Sequence, residues 1–87
     1  MHAVVVKVSL NDVEAAQKEL TEEVVPRAKQ APGFVAGYWT RKDNTGVSMV
    51  IFDSEDQAQA MGDRLPQMVP EHVTLEDVEV REVVANA

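Results

Sequence analysis

The sequence predicts an α+β domain with the element order strand, helix, strand, strand, helix, strand. Four segments have the residue patterns of β-strands, and two others repeat apolar residues every three or four positions. Length supports the same fold class, because 87 residues suit one hydrophobic core and are too few for two. We therefore expect one domain over residues 1–87, with an antiparallel four-stranded sheet and both helices on one face.

The first strand and the first helix are marked by their apolar spacing. The segment His2–Leu10 alternates, which places its even-numbered valines on one face. Asn11 and Glu14 have the spacing of a capping box, so we expect Asn11 to cap the helix. Pro26 is expected to kink or interrupt this helix near its end. The buried stripe of the helix is predicted to be Val13, Ala16, Leu20, Val24 and Ala28.

A β-hairpin is predicted in the middle of the chain. Its strands are expected over residues 34–41 and 47–52, because Asp, Asn and Gly between them suit a tight turn. With residues 44 and 45 at the centre of the turn, Tyr38 faces Ile51 across the two strands.

The second helix and the last strand follow. Ser54 is expected to cap the helix, with Gln57 three positions later. The apolar residues of segment 73–84 change phase, which predicts a β-bulge near Glu76 and Asp77. The resulting βαββαβ order is the ferredoxin-like arrangement. The residues expected to end the second helix irregularly are Gly62, Pro66 and Pro70.

Both faces of the hairpin are apolar, although two helices cover only one face of a sheet. We expect Val50, Phe52 and Trp39 to face the helices. Lys7, on the opposite face, is expected to pair with an acidic residue such as Glu79 or to extend into solvent. A large exposed apolar face is rare on a monomer, so we expect a homodimer. The predicted dimer interface, here called the outer face, consists of Val5, Tyr38, Met49 and Ile51.

Charge and composition exclude several classes of function. A formal charge of −7 argues against nucleic acid and against anionic membranes. The chain has no apolar run long enough to span a bilayer and no signal-peptide pattern, so we expect a cytoplasmic protein. Without cysteine there is no thiol nucleophile, and the two histidines lack the spacing of a metal site.

Two stretches carry a resemblance to a known family: PGFVAGYW at residues 32–39 and MVIFDSEDQA at residues 49–58. Their order along nearly the whole chain resembles the dimeric α/β barrel superfamily, particularly its antibiotic-biosynthesis-monooxygenase-like domains. The resemblance implies two sheets packed across a dimer and a ligand cavity between sheet and helices in each subunit. In the quinol monooxygenases of this superfamily the substrate itself reduces oxygen, which implies that no cofactor is needed.

Other branches of the superfamily can be compared residue by residue. Where the haem-degrading branch has Asn and Trp, this chain has Val6 and Phe52, and segment 62–65 lacks the expected His. These differences argue against haem degradation. The cyclase branch has a His near the start of the last strand, a place that His72 resembles. His72 is therefore the candidate catalytic residue, as a base for a phenol proton, with a solvated loop position as the alternative.

The candidate substrate-binding residues are Trp39, Phe52, Arg41, Val6 and Val50. Trp39 and Phe52 suit the wall of a pocket for a flat ligand, or else they simply pack in the core. Arg41 is expected to anchor an anionic group of the ligand or to lie at the surface.

Two functions remain open at this stage. The first is a cofactor-independent monooxygenase acting on a small flat aromatic or quinol-type compound. The alternative is a non-catalytic small-ligand-binding or dimerisation module. An enzyme is expected to have a cavity of about 300 Å³ or more with an inward polar group, whereas a packing module would fill that space.

Overall fold

A computed structural model describes the whole chain, residues 1–87, as one four-stranded sheet with helices. The strands are β1 (His2–Leu10), β2 (Phe34–Lys42), β3 (Thr45–Phe52) and β4 (Val73–Glu82). The helical segments are α1 (Val13–Glu19), a π-helical turn (Leu20–Val24), α2 (Val25–Lys29) and α3 (Glu55–Met68). The strand order is β2-β3-β1-β4, with all neighbours antiparallel. The predicted ferredoxin-like α+β fold is confirmed.

The core lies between the sheet and the helices. Val4 and Ala58 are 0% exposed and Phe52 is 1% exposed, so β1, β3 and α3 meet without a gap. Phe34 meets Phe52 edge to face, with ring centroids 6.4 Å apart. Full burial of such a side chain is worth about 1.5–3 kcal/mol. The predicted helix-facing side of the sheet is therefore correct.

The cap of α1 differs from the prediction by one residue. Asp12 is extended and its carboxylate accepts a hydrogen bond from the Ala15 amide at 3.1 Å. Asn11 follows the end of β1 and is bonded to the region around the start of β4: its amide donates to the His72 carbonyl at 2.8 Å, and its side chain to Thr74 at 3.2 Å. Asn11 as cap was thus wrong, because contacts with the last strand hold it one residue longer than local spacing indicates.

Pro26 interrupts the first helix without ending it. The Val25 amide donates to the Leu20 carbonyl, five residues back, which is the hydrogen bond of a π-helix. A proline has no amide to donate, and its ring clashes with the carbonyl four residues earlier in a regular helix. The π-helical turn removes this clash, and Pro26 lies in the first turn of α2, where its missing donor costs little.

The hairpin turn is shorter than predicted. Lys42 pairs with Thr45, so the turn consists of Asp43 and Asn44, with Asp43 in the left-handed region at φ 54°. Tyr38 consequently faces Met49, and the predicted pairing with Ile51 was wrong. Asp tolerates this conformation better than most residues. The predicted pairing of β2 with β3 is shifted by two residues from the observed one, and an even shift leaves every side chain on its predicted face.

The second helix is longer than predicted. Ser54 caps it as expected, accepting from the Gln57 amide at 3.3 Å. However, α3 continues through Gly62 and Pro66 to Met68, so an irregular end at those two residues was wrong. The packing of α3 on β1 and β4 outweighs the low helix propensity of both residues.

The bulge in β4 is confirmed. Lys7 faces Asp77 and Val8 faces Leu75, which leaves Glu76 as the extra residue. Glu76 accepts a hydrogen bond from the Ser9 hydroxyl at 2.9 Å. The bulge brings Leu75 and the residues before it back into phase with the helix-facing side of β1.

The outer face is apolar over three strands and charged over the fourth. Tyr38, Met49, Val5 and Glu79 lie in one row across the sheet. Tyr38 is 67% exposed and Met49 is 44% exposed in the single chain, while Val5 and Ile51 are half-buried. Lys7 lies opposite Asp77 and not Glu79, which binds Arg81 at 2.6 Å.

Gly37 gives the Trp39 ring its place on the sheet. A Cβ at residue 37 would lie 2.5 Å and 2.7 Å from two carbons of the Trp39 ring. The indole therefore lies across the glycine, on the helix-facing side of β2. In contrast, a Cβ at Gly62 would have its closest contact at 3.5 Å, an ordinary van der Waals distance.

These distances predict opposite effects for the same substitution. Gly37→Ala should lower the free energy of unfolding by about 1–3 kcal/mol, because the rigid indole has to move. Gly62→Ala should raise it by about 0.5–1 kcal/mol through helix propensity. Urea unfolding of both variants beside the parent chain measures the difference. Equal stability of the two variants would contradict the placement of Trp39.

Candidate functional site

A cavity of about 180 Å³ lies between the helix-facing side of the sheet and the helices. Seventeen of its 24 lining residues are hydrophobic. The central strand supplies Val4, Val6 and Val8, and the π-helical turn supplies Leu20 and Val24. The cavity is smaller than the roughly 300 Å³ expected for an enzyme, but an apolar cavity of about 150 Å³ admits benzene. Its size therefore suits one aromatic ring.

The sheet forms the floor of the cavity, and Ser48 of β3 places a polar side chain in the middle of it. Ser48 faces Trp39 on one neighbouring strand and Val6 on the other, so the three side chains lie side by side. The nearby Thr40 hydroxyl donates to the Val47 carbonyl, whereas the Ser48 hydroxyl has no hydrogen bond within the chain. Ser48 Oγ is thus available to a ligand.

Ser48 was missed by sequence reasoning. The signal was present, because Ser48 is the polar residue at a helix-facing position in the middle of β3. A hydroxyl at an apolar position of a strand costs stability unless it is hydrogen-bonded. Such an exception in the period-two pattern marks a residue whose partner is water or a ligand.

The rim of the cavity is positively charged. Arg27 of α2 and Arg41 of β2 both line it, and no Asp or Glu does. Arg41 Nη1 donates to the backbone carbonyl of Asp43 at 2.6 Å. Neither arginine has a carboxylate partner within the chain. The basic side chains that do have one are His2, His72 and Arg81.

Four of the five candidate substrate-binding residues line the cavity. Trp39, Arg41, Val6 and Val50 are brought together there. Phe52 is not among the lining residues; it is fully buried against Phe34. Tyr38 lies on the outer face, as predicted, and is not among the lining residues of the cavity.

His72 lies outside the cavity, in the connection between α3 and β4. Its Nδ1 is hydrogen-bonded to Glu19 Oε1, which joins this connection to the end of α1. The hydrogen bond and the charge of Glu19 raise the pKa of His72 above its usual 6.5, against a smaller opposing effect of burial. The second carboxylate oxygen of Glu19 is buried without a partner. The pairing with Glu19 therefore makes the His72 imidazole more basic.

No group of three or more His, Cys, Asp or Glu residues is gathered where it could bind a metal ion. In addition, none of the helices has the length and hydrophobicity that crossing a membrane would require.

The fold and the cavity together define the class: a ferredoxin-like α+β domain with a pocket between sheet and helices. Three solved structures are similar to this chain in fold. A variant of SnoaB, a cofactor-independent oxygenase from Streptomyces nogalater, is similar with a TM-score of 0.73 and 17% identity over 98% of this chain and 94% of its own. At these identities the similarity is one of fold.

Two further structures have the same fold. A dimeric ferredoxin-like protein from an uncultured marine organism matches with a TM-score of 0.67 and 12% identity, covering 100% of this chain and 98% of its own. A protein of unknown function from Nitrosomonas europaea matches with a TM-score of 0.65 and 18% identity over 99% and 91% of the two chains. No protein-family model and no curated protein sequence matches the chain.

The Glu19–His72 pair predicts a pH dependence. Because the pKa of His72 is raised in the folded chain, its contribution to stability is full below about 6.5 and is lost as pH rises through the folded value. Glu19→Gln should therefore destabilise the chain at acidic pH and much less at alkaline pH.

An NMR titration of the two histidines measures the same effect directly. Glu19→Gln should lower the pKa of His72 toward 6.5, and Glu71→Gln, which removes a weaker and more distant charge, should lower it less. His2 serves as the internal reference. An unchanged His72 titration in Glu19→Gln would show that the pair does not form.

Proposed function

We propose that this chain is a cofactor-independent monooxygenase that acts on a small flat aromatic or quinol-type compound. The observation that supports this most is the apolar cavity with Trp39 and Ser48 on its floor. The indole face suits an aromatic ring, and the free Ser48 hydroxyl suits a phenolic oxygen. The similar fold of SnoaB, a cofactor-independent oxygenase, is consistent with the proposal.

The reaction class balances without any added reductant. A hydroquinone and O₂ give a hydroxyquinone and water: one oxygen atom enters the ring, the other leaves as water, and the substrate supplies all four electrons. The chain's contribution is to hold the ring, to exclude water and to orient one hydroxyl at Ser48 Oγ. Burial of the ring against the valines of β1 supplies the binding free energy.

The role of His72 as proton acceptor stays a proposal. Its neighbours Pro70 and Val73 line the cavity, but the imidazole itself is bound to Glu19. A raised pKa also leaves less of the neutral base at pH 7. We therefore propose that Trp39 and Ser48 position the substrate. His72 would accept a proton from it only by way of solvent water.

The alternative is a non-catalytic ligand-binding or dimerisation module. Two observations favour it. The cavity is smaller than that of most enzymes, and neither a carboxylate nor an imidazole is among its lining residues.

Oxygen uptake separates the two functions. With hydroquinone and methylhydroquinone, uptake above the autoxidation rate is expected from the parent chain, and a chelator should not change it. Ser48→Val should reduce it about tenfold or more, because the hydroxyl that orients the substrate is lost. Thr45→Val is the matched control, since this hydroxyl on the same strand binds the Lys42 carbonyl away from the cavity.

His72→Ala completes this experiment. Loss of uptake with unchanged ligand binding would assign the proton acceptor to His72, and unchanged uptake would remove it from the mechanism. No uptake by the parent chain with either quinol would contradict the oxygenase and leave the binding module.

We also propose that the chain acts in the cytoplasm as a homodimer, with the outer face as the interface. Only eight hydrophobic residues are buried in the single chain, which is a small core for 87 residues. The exposed Tyr38 and Met49 would extend it. A similar fold is described as dimeric in the marine ferredoxin-like protein.

Sedimentation or light scattering at micromolar concentration tests the dimer. The parent chain should have twice the monomer mass, and Met49→Lys should shift it to monomer, because a charge at the centre of an apolar interface is left unpaired. Val84→Lys is the control, since Val84 lies beyond β4 and is 86% exposed. A monomeric parent chain would contradict the assignment.

A further inference from the structure

The charged residues around the cavity are positive, whereas the chain as a whole has a negative net charge. The sequence has 15 acidic and eight basic residues, so a random lining would hold about two acids for each base. The lining holds two arginines, Arg27 and Arg41, and no acid at all. The bulk of the chain repels anions, and this rim is where an anion meets the opposite potential.

We propose that the cavity binds a compound with one aromatic ring and one anionic group, a carboxylate in the first instance. The ring occupies the apolar part of the cavity, and the guanidinium groups of Arg27 and Arg41 hold the anion at the rim. This inference rests on the cavity being the ligand site of the proposed function, and it specifies the class of ligand.

Both arginines are free to bind an anion. Arg27 reaches the cavity from the helical layer and Arg41 from the sheet, and α2 packs against β2. A guanidinium has five N–H donors, and the bond from Arg41 to the Asp43 carbonyl uses one of them. That bond also fixes the side chain, so less entropy is lost when it binds a carboxylate.

The nearest acidic residues in sequence do not neutralise the rim. Asp43 follows in the turn after Arg41, and Glu22 and Glu23 precede α2 in the π-helical turn; all three are exposed. None lines the cavity and none forms an ion pair with either arginine. The two positive charges at the rim are therefore not neutralised within the chain.

The volume of the cavity limits the size of the ring system that the ligand can have. About 180 Å³ accommodates one six-membered ring with small substituents, and a fused ring system would extend past the rim. A hydroquinone with a carboxylate on the ring meets every requirement: the ring for the valines, a hydroxyl for Ser48 and the anion for the arginines.

The test compares two probes of nearly equal shape, 2,5-dihydroxybenzoate and its neutral amide, 2,5-dihydroxybenzamide. Calorimetric titration without oxygen measures both affinities. Trp39 is the single tryptophan of the chain and lines the cavity, so its fluorescence reports whether the probe enters there. We expect the carboxylate to bind about five- to tenfold more tightly than the amide, as charge-assisted hydrogen bonds at a partly exposed site allow.

Matched variants assign the preference to the rim. Arg27→Gln and Arg41→Gln should each reduce it about threefold, and the double variant should abolish it. Lys29→Gln and Lys42→Gln remove the same charge from α2 and β2 at residues that do not line the cavity, and should leave it unchanged. Thermal unfolding checks that each variant is folded. Arg27→Gln keeps the test independent of the hairpin turn.

The outcomes separate this inference from the proposed function. Equal affinity for the two probes overturns the anion site and leaves the cavity as a ligand site. An equal loss of preference in the lysine controls also overturns it, because the effect then comes from net charge. If neither probe binds or changes Trp39 fluorescence, the inference fails together with the cavity as the ligand site. Oxygen uptake with neutral quinols remains a separate test of the oxygenase.

Discussion

Burial of the helix-facing side of β1 is the interaction on which the rest of this structure depends. β1 lies between β3 and β4, and Val4 on it is 0% exposed. Because both neighbours pair with this strand, its alternation decides which side chains of the whole sheet meet the helices. Because this face of β1 is buried, the helices pack on it, the cavity lies on it, and the opposite, outer face stays uncovered.

The cavity results from a gradient of side-chain size along the helix-facing side of β3. Phe52 fills one end of the core with Phe34, Val50 follows, and toward the turn Ser48 and Gly46 line the cavity. A close-packed interior would fill this space if the residues toward the turn were as large as those at the other end. The pocket, its floor hydroxyl and its charged rim therefore all lie at the turn end of the hairpin.

Sequence reasoning predicted the features that depend on periodicity and missed those that depend on contacts distant along the chain. The inward valines, the Ser54 cap and the bulge at Glu76 could be predicted because each follows from neighbouring residues. Asn11 as cap failed because its amide donates to the carbonyl of His72, which is distant along the chain. The partner of His72 is 53 residues away, and no local pattern indicates such a pair.

The π-helical turn connects the first helix to the site. The stripe residues Ala16, Leu20, Val24 and Ala28 are each four positions apart, and in a regular α-helix this spacing drifts about 40° per step around the axis. A wider turn over Leu20–Val24 reverses part of the drift, so that these residues stay over the sheet and line the cavity. The same turn accommodates the proline and thereby sets the direction from which Arg27 reaches the rim. The interruption of the first helix at Pro26 thus shapes one side of the site.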